Sequence, residues 1–164
     1  MRELSLHYQS CNMKNTTVCY IEKDGKYLMI HRIKKKNDEN HDKWIGIGGK
    51  LEEGESPYDC IVREVYEETG LTLINPKLRA IITFVSNEFG TQYMNLFCAN
   101  EFSGSLNEVC DEGVLEWIEK EKLYSMHIWE GDKIFFRLLD EGAPFFSLKL
   151  VYEGDELISY KLDF

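Results

Sequence analysis

The chain has 164 residues, 43% of them hydrophobic and 29% charged, which suits one soluble globular domain with a substantial core. Its formal net charge of −10 argues against a general affinity for nucleic-acid backbone, which wants clustered Lys and Arg. No apolar run approaches the roughly 18–20 residues of a membrane span, and the first 17 residues lack the apolar core of a signal peptide, so a cytoplasmic protein is expected.

The segments 16–22 and 26–32 are β-rich and separated by Lys23-Asp24-Gly25, a hairpin signal. Lys34–Lys36 read as solvated, at the head of a polar loop that runs to about Lys43, before the short apolar run from Trp44 to Gly49. Ser56-Pro57 starts a helix: Ser56 is the N-cap, Pro57 the first helical residue, and Asp59 stands three after the cap. Gly70 stops it, so the helix is predicted over Pro57–Thr69. A second strand pair is expected around Gly90, another strand over Val114–Glu119, and a second helix within Glu130–Gly142, where Ile134, Phe135, Leu138 and Leu139 recur at helical spacing. The tail alternates around Glu153-Gly154-Asp155 and predicts a closing hairpin. Strands with two interspersed helices define a mixed α/β or α+β domain spanning residues 1–164.

The five cysteines (Cys11, Cys19, Cys60, Cys98 and Cys110) are scattered and form no Cys-x-x-Cys pair. They read as reduced thiols, mostly core filler.

The first helix poses a problem. At about 100° per residue, Tyr58, Ile61, Val62, Val65, Tyr66 and Thr69 share the expected core face, and Glu64, Glu67 and Glu68 crowd the adjacent arc. Like charges three and four residues apart repel by roughly 0.2–0.5 kcal/mol per pair. Arg63, one turn before Glu67, is placed to pair with it, but the helix carries no Lys. A solvated acidic face is one reading. The other is a binding edge for a divalent cation, since oxygen ligands suit Mg²⁺ or Mn²⁺. The glycine-rich approach, with Gly48, Gly49, Gly54 and a further acid at Glu55, lets backbone come close to a ligand.

Gly49, five residues, Glu55, seven residues, then Arg63-Glu64-Val65-Tyr66-Glu67-Glu68-Thr69-Gly70-Leu71 resembles the Nudix box at every defining position. A chance match is on the order of 10⁻⁹ per starting point at average residue frequencies. The resemblance implies a Nudix fold, an α/β/α sandwich around a mixed sheet, and a hydrolase of nucleoside diphosphates linked to another moiety. It implies that Glu64, Glu67 and Glu68 hold Mg²⁺ with the Gly48 carbonyl, that Glu55 binds metal through water or supports the loop, and that Arg63 orients Glu67. Gly49 and Gly70 would have conformational roles. Glu68 and Glu112 are the implied candidates for general base.

Beyond the box, residues 16–163 are similar to the MutT-type branch, especially to animal enzymes that remove oxidised purine nucleoside triphosphates such as 8-oxo-dGTP. That similarity implies nucleotide-pool sanitation in support of DNA repair, with Trp129 stacking on the base and Asp132 bonding its edge. Two positions depart from the branch: Gly131 replaces an acid, and Ile45 replaces an Asn used on the base. Phe84, Tyr93 and Phe97 are candidates for the same pocket or for the core, and Arg32 and Lys50 are candidate phosphate contacts. The expected partner is a nucleoside triphosphate, with no nucleic-acid polymer and no membrane, and the protein is expected to be a monomer or homodimer. The alternatives are another nucleoside diphosphate derivative (ADP-ribose, a dinucleoside polyphosphate, a nucleotide sugar) or a non-catalytic nucleotide sensor of the same fold.

Overall fold

The computed structural model describes residues 13–107 and 109–164; Cys11 and the rest of the N-terminal segment lie outside them. Strands β1 (Met13–Lys23) and β2 (Lys26–His31) form the expected hairpin. Asp24 and Gly25 have φ of 52° and 72°, the paired positive values of a type I′ turn, whose twist matches that of the strands it joins. The large sheet also contains β3 (Trp44–Ile45), β4 (Ile47–Lys50), β6 (Lys77–Ser86), β7 (Gly90–Ala99), β9 (Val114–Glu119), β10 (Phe146–Glu153) and β11 (Glu156–Asp163). Its order is β11-β10-β6-β7-β1-β2-β3, with β4 also pairing β1 and β9 also pairing β2. The β1–β7 and β10–β6 pairs are parallel and the rest antiparallel, so the sheet is mixed.

Period-two alternation divides the core. On β1 and β2, Tyr20, Tyr27 and Met29 face one hydrophobic cluster, and Cys19, Ile21, Leu28 and Ile30 face the other. Helix α1 (Pro57–Thr69) covers the second cluster through Ile61 and Val65; α2 (Asp132–Asp140) covers the first through Phe135, Phe136, Leu138 and Leu139. The result is an α/β/α sandwich of α+β class. Two short features have no counterpart in the sequence reading: the pair β5 (Thr72–Ile74) with β8 (Glu101–Ser103), and a 3₁₀ segment over Lys120–Ser125.

Helix α1 has the predicted bounds. Ser56 Oγ accepts from the Asp59 amide at 3.1 Å, and the Asp59 carboxylate accepts from the Ser56 amide at 3.1 Å, a complete capping box. Gly70 closes the helix at φ 78°. The core face is narrower than predicted, because Tyr58 and Tyr66 are exposed (47% and 60%) and Val62 is half-buried. In their place Cys60 is buried, with its Sγ 3.3 Å from Thr17 Oγ1 of β1. The described cysteines Cys19, Cys60, Cys98 and Cys110 are free thiols, as expected. Among the described residues no helix is long and apolar enough to cross a membrane.

Candidate active site

The first strand, the glycine run and the first helix build the site together. β4 lies antiparallel to β1 with Thr17 opposite Gly49 and Val18 opposite Gly48. A Cβ at Gly48 would collide with the Thr17 carbonyl, and one at Gly49 would collide with the Glu64 carboxylate. Gly49 is thus required by close approach and Gly70 by its positive φ, two separate reasons behind one motif.

Arg63 is the hub of the acidic edge. Its Nε and Nη2 donate to the two oxygens of Glu55 at 2.5 and 3.0 Å, Nη1 donates to Glu64 at 2.9 Å and Glu67 at 3.2 Å, and Nη2 also reaches the Lys50 carbonyl at 3.2 Å. The expectation that Arg63 mainly orients Glu67 is therefore refined: the bidentate partner is Glu55, and Glu67 is a more distant contact. The Arg63 hydrogen bonds hold the Glu55 carboxyl down at about 2. Glu55 faces neither cavity of the site, which fits loop support rather than direct ligation.

Glu68 is the opposite case. Burial, then the neighbouring charge of Glu64, pushes its carboxyl up to about 8, with Arg32 pulling the other way. Its Oε2 is buried with no hydrogen-bond partner among the described residues. A cavity of about 220 Å³ is bounded by Glu64, Glu67 and Glu68 together with Cys110, Asp111 and Glu112 from the loop before β9. Crowded carboxylates, one with an unpaired oxygen, are the donor set that a hard divalent cation needs. Among the described residues no three acidic, His or Cys side chains already converge as ready-made ligands. Loading would thus require Glu64 to turn from Arg63 and Glu68 to give up its proton.

A second cavity, of about 700 Å³, lies against the first, and Glu64 and Glu112 border both. Gly48, Gly49, Lys50 and Arg32 line its near side; Trp129, Asp132 and Phe84 line its apolar end. Sequence reasoning thus named residues on both walls. Of the aromatics with two readings, Phe97 takes the core one, in the cluster beneath α1, and Tyr93 takes neither, being 39% exposed outside the cavity lining. Arg32, expected to be free for phosphate, is held by Asp38 at 2.6 Å and by Glu112, which also has Lys35 at 3.6 Å.

Trp129 is 6% exposed. Its Nε1 donates to Asn40 Oδ1 at 2.8 Å, the Lys43 ammonium sits 4.2 Å from its ring centre, and Phe84 and Tyr152 meet it edge-on. Lys43 is itself buried and pairs with Asp155 at 3.3 Å. Asp132 is buried beside them, and burial pushes its carboxyl up to about 8 against the pull of Lys43. Ile45 lines the cavity without a polar atom to offer. A Cβ at Gly131 would lie 2.5 Å from Leu150 Cδ1 and 2.8 Å from Tyr152 Oη, the hydroxyl that accepts from the Gly131 amide at 2.7 Å. The Leu150 and Tyr152 side chains crowd the space that the acid of the MutT branch would take.

Lys34–Lys36 are exposed, as expected, but the loop they open also lines the larger cavity through Lys35, Asn37, Asp38, Glu39 and Asn40, which was not anticipated. Lys14, Thr16, Tyr20, Gln92, Met94 and Phe135 line it too and were not identified. The alternation of β1 and β7 was the available signal, because Thr16, Val18 and Tyr20 share one face of β1, and Gln92 and Met94 one face of β7.

A mixed sheet between two helices, with a carboxylate edge beside a deep apolar cavity, defines a class of hydrolase sandwich. Residues 12–139 match the NUDIX domain, and the chain belongs to the Nudix family, whose members act on pyrophosphate bonds of small-molecule nucleotides. It is similar to the uncharacterized Nudix hydrolase YvcI of Bacillus subtilis, 28% identical over 156 residues, covering 92% of this chain and 95% of that protein. The oxidized purine nucleoside triphosphate hydrolase of Danio rerio is 29% identical over 122 residues, 74% of this chain and 78% of that one. A crystal structure of a MutT protein from Bacillus halodurans superposes with a TM-score of 0.80 at 30% identity, covering 92% of this chain and 97% of the other. The protein is a MutT-like Nudix hydrolase.

Proposed function

We propose that this enzyme is a Mg²⁺-dependent nucleoside triphosphate pyrophosphohydrolase that converts oxidised purine nucleotides such as 8-oxo-dGTP to the monophosphate and pyrophosphate. One observation carries the reading: the carboxylate cavity and the larger apolar-ended cavity share Glu64 and Glu112 as a common wall. A nucleotide with its base at Trp129 and its phosphates toward Lys50 would bring its anhydride to that wall. The likeness to a hydrolase named for oxidised purines supports the same substrate class.

Glu64, Glu67 and Glu68, with the Gly48 carbonyl, would hold Mg²⁺ or Mn²⁺. When bound, the cation supplies neutralisation of phosphate charge and a water of lowered pKa. Arg63 holds Glu55 and Glu64 in place through its fork. Glu112, fixed by Arg32, and Glu68 are the groups positioned to take the proton of the attacking water. Lys50 and Lys35 line the route to the wall and meet phosphate oxygens. Asp132, protonated near neutral pH, can both donate to and accept from a base edge.

The test is a panel of 8-oxo-dGTP, 2-hydroxy-dATP, dGTP, ADP-ribose and diadenosine tetraphosphate, with products resolved by ion exchange. The highest kcat/KM is expected on an oxidised purine triphosphate, with pyrophosphate released. Glu67→Gln and Glu68→Gln should each lower kcat by about 10²–10⁴-fold at saturating Mg²⁺. Full turnover in both variants, or cleavage confined to ADP-ribose, would overturn the assignment.

A further inference from the structure

The larger cavity has a carboxylate that neither the family motif nor the proposed chemistry uses. Glu39 lines it from the loop after β2, and its Oε2 is buried without a hydrogen-bond partner among the described residues. The Lys14 ammonium lies 3.6 Å away, near enough to compensate charge but too far for a hydrogen bond. A buried acceptor left unpaired is costly, and an ionised carboxylate can only accept. The missing partner is therefore a donor.

The loop that carries Glu39 is fixed on both sides. Asp38 accepts from Arg32 Nε at 2.7 Å, and Asn40 accepts from the Trp129 indole at 2.8 Å. Glu39 is thus held in register with the aromatic end of the cavity. At that end Leu150 and Tyr152 crowd position 131, where a Cβ would come within 2.8 Å of each. The acid that relatives place there is absent, and a different acid reaches the same cavity from another segment.

We propose that Glu39 is a specificity-determining residue, its carboxylate accepting hydrogen bonds from the exocyclic amine edge of a bound purine. The proposal rests on the reading of this cavity as a nucleoside site. Glu39 takes no part in water attack; it selects the base.

The experiment measures kcat/KM for dGTP, dITP and GTP with the wild-type enzyme and with Glu39→Gln and Glu39→Asp. Deoxyinosine triphosphate lacks the C2 amine, and GTP adds a sugar hydroxyl. The wild type is expected to prefer dGTP over dITP by about tenfold, the value of one good hydrogen bond. That ratio should fall in Glu39→Gln, whose neutral amide oxygen accepts more weakly than a carboxylate, and be intermediate in Glu39→Asp, which keeps the charge on a shorter arm. An unchanged ratio in both variants overturns the proposal. A change confined to the GTP/dGTP ratio also overturns it, because the donor would then be a sugar hydroxyl. Calorimetric binding of dGMP against dIMP repeats the comparison without turnover, and thermal melting confirms that the variants fold. A wild type that cleaves none of the triphosphates defeats the proposed function instead, a result distinct from triphosphate cleavage with an unchanged base ratio.

Discussion

The two cavities share a wall and follow opposite electrostatic plans. In the smaller one, Glu64, Glu67, Glu68, Asp111 and Glu112 face the same space, and the guanidinium of Arg63 contacts Glu64 and Glu67 but does not line it. Around the larger one, most charges come in pairs: Lys14 with Glu39, Arg32 with Asp38, and, behind Trp129, Lys43 with Asp155. Five acids there outnumber the cations of Arg63, Arg32 and Lys35 that reach them, and such an excess in one small space marks a place completed by incoming positive charge. Paired charges around an apolar end mark a place that reads shape and hydrogen-bond pattern. Glu55 and Glu68 show the contrast on a single helix and its approach. One carboxyl is held at about 2 by Arg63; the other is pushed up to about 8 by burial and like charge.

The comparison can be broken most strongly through pH. In chelator, Glu68 and Asp132 keep their protons up to about pH 8 in the folded protein, against ordinary values of 4.5 and 3.8. Between those limits the folded state binds more protons than the unfolded one, so stability must fall as pH rises. The loss from pH 5 to 8 is on the order of 3 kcal/mol for each of the two groups, read as a falling Tm in EDTA. Glu68→Gln and Asp132→Asn should each flatten the slope. Mg²⁺ should restore the Tm of the wild type at pH 8 but not that of Glu68→Gln. A Tm that rises across this window would show that both carboxylates ionise freely, and the contrast between the cavities would fail.

Arg63→Lys sharpens the comparison from the other side. The ammonium keeps the charge and loses the fork that spans Glu55, Glu64 and Glu67. A fall of about 10–100-fold in kcat/KM is expected, with more Mg²⁺ needed for half-activation. Base preference across the nucleotide panel should stay constant, because Arg63 lines neither cavity. A changed preference would mean that the two sites are coupled through the helix.

The regions also differ in how far the sequence disclosed them. Helix α1 was legible to the residue, because its cap, stop and acids are local signals within 56–70 and its motif spacing is rigid. The acids that crowd its edge are equally local signals. The larger cavity is assembled from β1, the loop after β2, β4, β7 and the start of α2, and no local pattern spans such separations. Residues 37–40 read only as polar loop because two of their partners are distant in sequence: Glu39 pairs with Lys14 and Asn40 with Trp129. Tyr58 and Tyr66 failed for the converse reason. They lie at the exposed margins of the predicted arc, at 47% and 60%, while the smaller Cys60 is buried against β1.

Gly131 is where sequence and structure combine most closely, and it yields the smallest expected effect. The sequence showed that an acid was missing, and the structure gives the reason. The amide of Gly131 is bonded to Tyr152 Oη, and Leu150 and Tyr152, each 1% exposed, occupy the space a side chain would take. These two side chains belong to β10 and pack within the first core cluster, so they cannot simply turn aside. Gly131→Asp should therefore destabilise the protein by about 1–3 kcal/mol through overpacking, seen as a lowered Tm. It should not raise selectivity for 8-oxo-dGTP, because the new carboxylate would be directed at Leu150 and Tyr152 rather than at the base. Gly131→Ala isolates the steric part and should account for most of the loss. If Gly131→Asp instead kept its Tm and gained selectivity, the pocket would be shaped as in the MutT branch, and Glu39 would have no vacancy to fill.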